Sequence, residues 1–343
     1  MAPPADSSRR AVAYWLLACC ALVFAMVVVG GMTRLTHSGL SIVEWRPVTG
    51  TLPPLSEAAW TEEFAKYRGS PEFRQRNHDM TLAGFKSIFW WEYFHRLLGR
   101  VIGLSFALPL AWFVARGVVT GPLAWKLAGI LVLGGLQGAV GWYMVRSGLD
   151  HDPMVSPVRL AMHLGLAILI YAAMLWVALG LLRAPAGGAG APLRRLAASL
   201  PWLVFLMVVT GALVAGIRAG YAYNTWPLMN GHVVPPEIWV IEPWWRNLAF
   251  NMATVQFNHR TLALVTAAAV IAAWAMSRRV EDRVARRWSD ALLAAAAAQV
   301  GLGIATLLLR VPLPLAALHQ AGAVAVLTCA IGLAHALRKG LQP

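Results

Sequence analysis

The chain has 343 residues, of which 59% are hydrophobic and only 13% charged, with a formal net charge of +14. That balance excludes an ordinary water-soluble globular domain. The basic residues fall in short clusters between apolar runs, which is the positive-inside pattern, so the charge reports topology and not nucleic-acid binding.

Eight apolar stretches near twenty residues follow one another, each long enough to cross about 30 Å of hydrocarbon as a helix. The spans are expected at roughly 11–31, 88–114, 124–146, 158–182, 199–217, 251–276, 289–309 and 314–337. Arg9 and Arg10 precede the first, and Arg116 and Lys126 flank the turn after the second. Arg183, Arg194 and Arg195 follow the fourth. Arg278, Arg279, Arg283, Arg286 and Arg287 follow the sixth, and Arg338 and Lys339 follow the last. All fall on one side if both termini are cytoplasmic, which places the chain in a bacterial inner membrane. Met1 to Arg10 is too short and polar for a cleaved signal peptide, so the first apolar run reads as an uncleaved span. Cys19, Cys20 and Cys329 lie inside spans, so disulfides and Cys-based metal sites are not expected. No Cys-x-x-Cys-His sequence occurs, and any heme is expected to be held non-covalently.

The segment 32–87 is the one soluble-looking outer loop of any size. Its entry, Gly30 to Ser41, has the glycines and hydroxyls of a closely packed turn. Ser56 and Ser70-Pro71 predict the starts of two short helices, with serine as N-cap and proline in the first turn. A loop of this length with its own helices suits a lid over a site. Ala184–Pro192, rich in Gly, Ala and Pro, reads as the start of a cytoplasmic linker, 184–198, between an N-terminal half, 1–183, and a C-terminal half, 199–343.

The halves repeat. Val28-Val29-Gly30-Gly31 corresponds loosely to Val208-Val209-Thr210-Gly211, and Glu92…His95-Arg96 to Gln256…His259-Arg260. Gln137-Gly138-Ala139-Val140-Gly141 corresponds to Gln299-Val300-Gly301-Leu302-Gly303, and the segment ending in His163 to that ending in His319. This is a parallel repeat of four spans. The expected fold is an all-α polytopic membrane protein of eight transmembrane helices in two pseudo-symmetric four-helix bundles. The small residues of spans 3 and 7 let helices approach closely.

Of nine histidines, four occupy repeat-related places: His95, His163, His259 and His319. Each lies in the first turns of an even-numbered span, so the four imidazoles share one depth near the outer surface. A single membrane histidine is as readily explained by a hydrogen bond to a neighbouring helix. Four at matched positions point to metal ligation, and imidazole is a standard axial ligand of heme iron. Bare copper or zinc is the alternative, although the spans offer few carboxylates or thiols to complete such a shell. His37, His78, His151 and His232 fall in outer loops, and His335 has no repeat partner; none of these is singled out.

Glu92 stands one turn before His95, where the second half has Gln256. Its structural reading is a supporting partner or an ion pair with Arg96. Its functional reading is proton handling beside a reacting heme, since a buried carboxylate has a tunable proton affinity. Arg96 and Arg260 either reach heme propionates or snorkel to the headgroups, and Arg34 and Arg159 are further propionate candidates. The sixteen tryptophans suit an aromatic belt at the membrane interfaces.

Three runs carry a family resemblance. They are Gly31-x-Thr33-Arg34-Leu35-Thr36-x-Ser38-Gly39-Leu40-Ser41, Glu92-Tyr93-x-His95-Arg96-Leu97-x-Gly99-Arg100 and Val155-Ser156-x-x-Arg159-Leu160-Ala161-x-His163-Leu164. The chain resembles the heme A synthase family, in its branch without cysteine pairs in the outer loops. The resemblance implies oxidation of the C8 methyl of heme O to a formyl group, through two hydroxylations and loss of water. It implies that His259 and His319 hold a resident heme b, that His95 and His163 hold the substrate heme, and that Glu92 is essential. It also implies, as partners, the farnesyltransferase that makes heme O and an electron acceptor that the sequence does not identify. Two other classes remain open at this point: a bis-histidine membrane cytochrome b for electron transfer, and a heme transporter or chaperone.

Overall fold

A computed structural model describes residues 6–46, 49–150, 152–183 and 189–338. In chain order the helices are α1 (Asp6–Leu35), α2 (Glu57–Arg68), α3 (Pro71–Arg76), α4 (Leu82–Ala115), α5 (Gly121–Arg146), α6 (Pro157–Leu182), α7 (Ala191–Gly216), α8 (Asn247–Phe250), α9 (Met252–Ser277), α10 (Arg283–Leu308) and α11 (Leu313–Leu337). All but α2, α3 and α8 are long and apolar enough to cross a membrane, eight in all, and no strand occurs among the described residues. The chain is an integral membrane protein by that measure.

Helix starts follow local chemistry. The side chains of Thr81, Ser156, Asn251 and Asp282 accept backbone N–H groups from the first turns of α4, α6, α9 and α10, satisfying donors that a helix leaves open. Proline occupies the first turn of α5, α6, α7 and α11, where its missing N–H costs nothing.

Four helices begin five or more residues earlier than the hydropathy suggests: α1 at Asp6, α4 at Leu82, α7 at Ala191 and α10 at Arg283. Bilayer thickness limits the apolar stretch and not the helix, and Arg, Ala and Leu are good helix formers. Residues 191–198, assigned to the linker from sequence, are therefore the first two turns of α7. Residues 184–188 of that linker, and His151, lie outside the described residues.

Both halves close in the same way. In the first, α1 packs on α4 and α6, and α5 packs on the same two. In the second, α7 packs on α9 and α11, and α10 packs on those two. The halves meet along a seam made by α1 with α11, α6 with α7, and α6 with α11. Gln320 of α11 crosses this seam to donate to the carbonyl of Val27 in α1 at 2.8 Å, and a Cβ on Gly31 would collide with the Gln320 side chain. Small residues allow such approach, and dispersion with interhelical hydrogen bonds then holds it.

The tight apolar core is one-sided. It runs through Val12, Leu16, Val23 and Val27 of α1, Phe106 and Leu110 of α4, Ile168 and Met174 of α6, Leu200, Val204 and Val208 of α7, and Val324, Leu327 and Leu333 of α11. In α4, α6 and α11 it stops short of His95, His163 and His319. The outward faces present Leu104, Leu108, Val132, Leu264, Val265 and Ile271, as lipid-facing helices require.

On the opposite side from the termini, α2 and α3 form a cap over the first turns of α4. Ser56 and Ser70 accept from Ala59 N–H and Phe73 N–H, as the sequence predicts. Trp60, Tyr67, Phe85, Phe89 and Tyr93 cluster beneath them. The second half has a counterpart that the sequence reading passed over. Its 217–251 loop is ordered around Asn247, which exchanges hydrogen bonds with Ile241 and donates to Trp244 O, and around Asn251, which donates to Glu237 O.

Candidate functional site

The run Thr33 to Ser41 folds into a tight knot on α4. Ser38 N–H bonds Thr33 O, the Thr36 and Ser38 hydroxyls meet at 2.8 Å, and Thr33 donates to Trp91 O. Ser38 and Ser41 are almost fully buried. This knot delivers two donors to Glu92: the Ser41 hydroxyl and the Ile42 N–H each lie 2.8 Å from Oε2. The other oxygen, Oε1, accepts from Arg96 Nε at 3.1 Å and Nη2 at 2.6 Å. Glu92 thus accepts four hydrogen bonds in a buried place, and the i,i+4 spacing that makes the ion pair was visible in sequence.

Arg96 spends the rest of its guanidinium on the loop, donating to Ile42 O at 2.7 Å and Glu44 O at 2.9 Å. Arg260 does the same in the second half, to Tyr223 O at 2.7 Å and Thr225 O at 2.9 Å. Gln256 accepts from Arg260 at 2.8 Å and donates its amide to Ala219 O at 2.8 Å. The two arginines are repeat-related clamps that tie an outer loop to α4 and α9. Among the other arginines singled out, Arg34 donates to Ala215 O across the seam, and Arg159 donates to Tyr143 O at 2.9 Å while stacking over the Tyr143 ring. Each of those two uses one guanidinium nitrogen in this way.

The four histidines fall two to a bundle: His95 of α4 and His163 of α6 in the first, His259 of α9 and His319 of α11 in the second. Every ring rests on a glycine of an adjoining helix. A Cβ added at Gly30 would stand 2.8 Å from His95 Cε1, at Gly141 2.8 Å from His163 Cε1, at Gly211 3.3 Å from His259 Cε1 and at Gly303 2.9 Å from His319 Cε1. Each glycine stands five residues before its helix ends, at Leu35, Arg146, Gly216 and Leu308. From sequence, Gly141 and Gly303 read as helix-packing residues and Gly30 as the entry to a turn, whereas Gly30 lies inside α1; the regular distance of all four from the helix ends was the signal for a second task. The structural register also shifts one repeat match: Gly30 pairs with Gly211, so Val29 pairs with Thr210.

Hydrogen bonding to the rings is uneven. His259 Nδ1 lies 2.9 Å from the Thr210 hydroxyl. The Gln137 amide nitrogen reaches His163 O at 3.0 Å and Nδ1 at 3.1 Å, whereas that of Gln299 reaches only His319 O, at 2.8 Å. The Nδ1 atoms of His95 and His319 are buried with no partner.

Two imidazoles in each half, each cradled by a glycine, suit a bis-histidine heme. The donor set is right for heme iron. Among the described residues no three His, Cys, Asp or Glu side chains gather as a bare-metal shell would need.

The cap holds one more buried acid. Glu72 of α3 is 3% exposed and accepts from the Tyr67 hydroxyl at 3.2 Å. Burial pushes its carboxyl up to about 7, the Glu92 charge adds to the rise, and the Tyr67 hydrogen bond, Arg76 and Arg218 oppose it. Nothing in the sequence distinguished Glu72. Of the remaining histidines, His37 receives a contact from Arg218 at 3.1 Å, His78 pairs with Asp79, and His335 packs edge-on against Trp176.

The family model described as cytochrome oxidase assembly protein matches residues 13–331. A protein of Nitrosospira multiformis named heme A synthase is 56% identical over 336 residues, covering 96% of this chain and 94% of its own. Proteins of the same name from Rhodospirillum centenum and Nitrosomonas eutropha are 53% and 50% identical, covering 98% and 95% of this chain and 91% and 93% of their own.

Proposed function

The chain belongs to the family of cytochrome oxidase assembly proteins, and from its two histidine pairs we infer that it is a heme A synthase, taking heme O as substrate in the membrane. The single observation that carries this reading is the pairing itself: His95 with His163 and His259 with His319, one pair in each four-helix bundle, every ring on a glycine.

In this reading His95 and His163 hold the substrate heme, and His259 and His319 hold a resident heme b, which supplies a path for electrons when bound. Turning a methyl into a formyl group with water as the oxygen source releases four electrons and four protons. The protons are the protein's concern. Glu92 is the acid one turn from His95, and its carboxylate is fixed by Arg96 and by the Ile42 N–H. Negative charge held there stabilises positive charge developing at the methyl. Ser41 is the one partner that can let go: its hydroxyl has a second acceptor in Ile88 O at 3.4 Å, which frees a lone pair on Oε2 to take a proton. The same contacts serve the structural role of pinning the loop, and one carboxylate does both. Arg96 and Arg260 act as loop clamps. Arg34 and Arg159 keep nitrogens free for propionates. The termini face the cytoplasm, the histidines lie toward the outer side of the inner membrane, and the farnesyltransferase that makes heme O is the expected partner.

Pigment extraction tests the reading. Purified protein from cells that make heme O should yield heme A, and His95→Ala should yield none while retaining heme b. Two stable hemes with no conversion of heme O would instead identify an electron-transfer cytochrome.

A further inference from the structure

The two bundles are near copies, yet one is read as keeping its heme and the other must release its heme once converted. Something in the protein has to separate a permanent site from an exchanging one. The glutamines Gln137 and Gln299 both hold the backbone carbonyl of the histidine beside them, and Gln137 alone also reaches that ring's Nδ1. A second difference lies on the α1 and α7 side, at the residue just before the cradling glycine. In α7 it is Thr210. Its hydroxyl has one proton, and the carbonyl of Met207, 3.1 Å away, takes it. With its proton on Met207 O, the oxygen facing His259 Nδ1 at 2.9 Å accepts the ring N–H, an arrangement that leaves Nε2 its lone pair. His259 is fixed in orientation and tautomer for ligation through Nε2. In α1 the matching residue is Val29, the same shape without the hydroxyl, and Gly31 on the other side of the cradle offers none either. His95 Nδ1 is correspondingly without a partner, as is His319 Nδ1 in the second half, so the contrast is between His95 and His259. His163, the other first-half ring, receives the Gln137 amide N–H at Nδ1, which favours the opposite tautomer. That contact has to open before Nε2 can ligate.

We propose that Thr210 makes the second-half site the one that retains heme, and that Val29 in the equivalent place makes the His95 site the one that exchanges it. The proposal rests on the bis-histidine reading above. Thr210 is a positioning residue: it touches the ligand and not the reacting methyl. Partners of this kind typically change metal affinity by about 10- to 100-fold when removed.

The test exchanges the two residues in full-length protein. In a His95→Ala background, where only the second-half heme remains, Thr210→Val should speed heme loss to excess apomyoglobin by about tenfold. It should also raise the midpoint potential, because an imidazole that no longer donates its Nδ1 proton is a weaker electron donor. Thr210→Ser should restore both. In a His259→Ala background, Val29→Thr should slow heme release from the first half by a similar factor. If Thr210→Val does not fold, Thr210→Ala removes the same oxygen and is read identically. Unchanged loss rates and potentials in these variants would overturn the proposal while leaving the ligand assignment intact. If the His95→Ala and His259→Ala backgrounds each still held two hemes, the bis-histidine reading itself would fail.

Discussion

Glu92→Gln is the perturbation that most directly tests the logic of the first-half site, because the second half has the amide by nature. Gln256 works where it is because its surroundings are made for it: a carbonyl, Ala219 O, faces its NH2 group, and Arg260 faces its oxygen. The Glu92 pocket is made for an acceptor only. A glutamine there keeps its oxygen toward Arg96 and turns its NH2 toward the Ser41 hydroxyl and the Ile42 N–H. Serine can reverse and accept. A backbone N–H cannot, so a donor then faces a donor. Leaving that buried amide unsatisfied costs about 1–3 kcal/mol, and replacing a charge-assisted bond to Arg96 by a neutral one costs about 1 kcal/mol more. The loop knot over α4 should therefore loosen by about 2–4 kcal/mol, speeding hydrogen exchange at the Ile42 amide by about 30-fold or more. Global folding and second-half heme should persist, and heme A should not form. The assay pairs amide exchange with extraction of heme O and heme A. Unchanged exchange at Ile42 would refute the acceptor-pocket argument, and heme A at the normal rate would refute a proton or charge role for Glu92. Loss of heme from both halves would make it a folding residue alone. Gln256→Glu is the converse mismatch, setting a carboxylate oxygen against Ala219 O, and should destabilise the 217–251 loop while leaving heme A formation in place.

Replacing His259 or His319 by alanine should remove heme b from the second half, seen as loss of about half the low-spin heme spectrum; unchanged spectra in both variants would sink the assignment. Gly141→Ala and Gly303→Ala should each disturb ligation in their own half only, since the new methyl meets an imidazole carbon at 2.8 Å or 2.9 Å. Helix content should hold in both, alanine being the better helix former by about 1 kcal/mol. Glu72 gives the cap a pH dependence. Its folded value, about 7, lies above the ordinary 4.5, so the cap is most stable where the acid is protonated in both states. Stability falls as pH rises from about 4.5 to 7, by up to about 3 kcal/mol. Proteolysis of the α2–α3 cap should accelerate over that window, and Glu72→Gln should abolish the trend.

Hydropathy and charge placed the eight helices, and serine and proline signals placed α2 and α3, because those features act within a few residues of one another. The repeat between the halves singled out His95, His163, His259 and His319 as a group. The sequence was silent where the answer depends on what lies across a helix interface. Arg96 and Arg260 read equally well as propionate ligands or snorkelling residues, since nothing local announces that the carbonyls of Ile42, Glu44, Tyr223 and Thr225 come to meet them. The early starts of α7 and α10 were missed because hydropathy marks the bilayer and not the helix. Matching Thr210 with Gly30 was a reasonable alignment of similar strings; only the positions of the rings moved it to Val29. Glu72 escaped notice because an acid in a polar loop gives no sign of burial until the loop is folded.

The Gln320 bond across the seam has a thermodynamic consequence. Its donor residue adjoins His319, and its acceptor, Val27 O, lies one turn before the glycine on which His95 rests. Were heme in the first half to displace α1, this bond would carry the displacement to the helix that bears His319. Linkage is reciprocal, so the second site must act back on the first with equal free energy. Heme occupancy of one bundle would then enter the dissociation constant of the other.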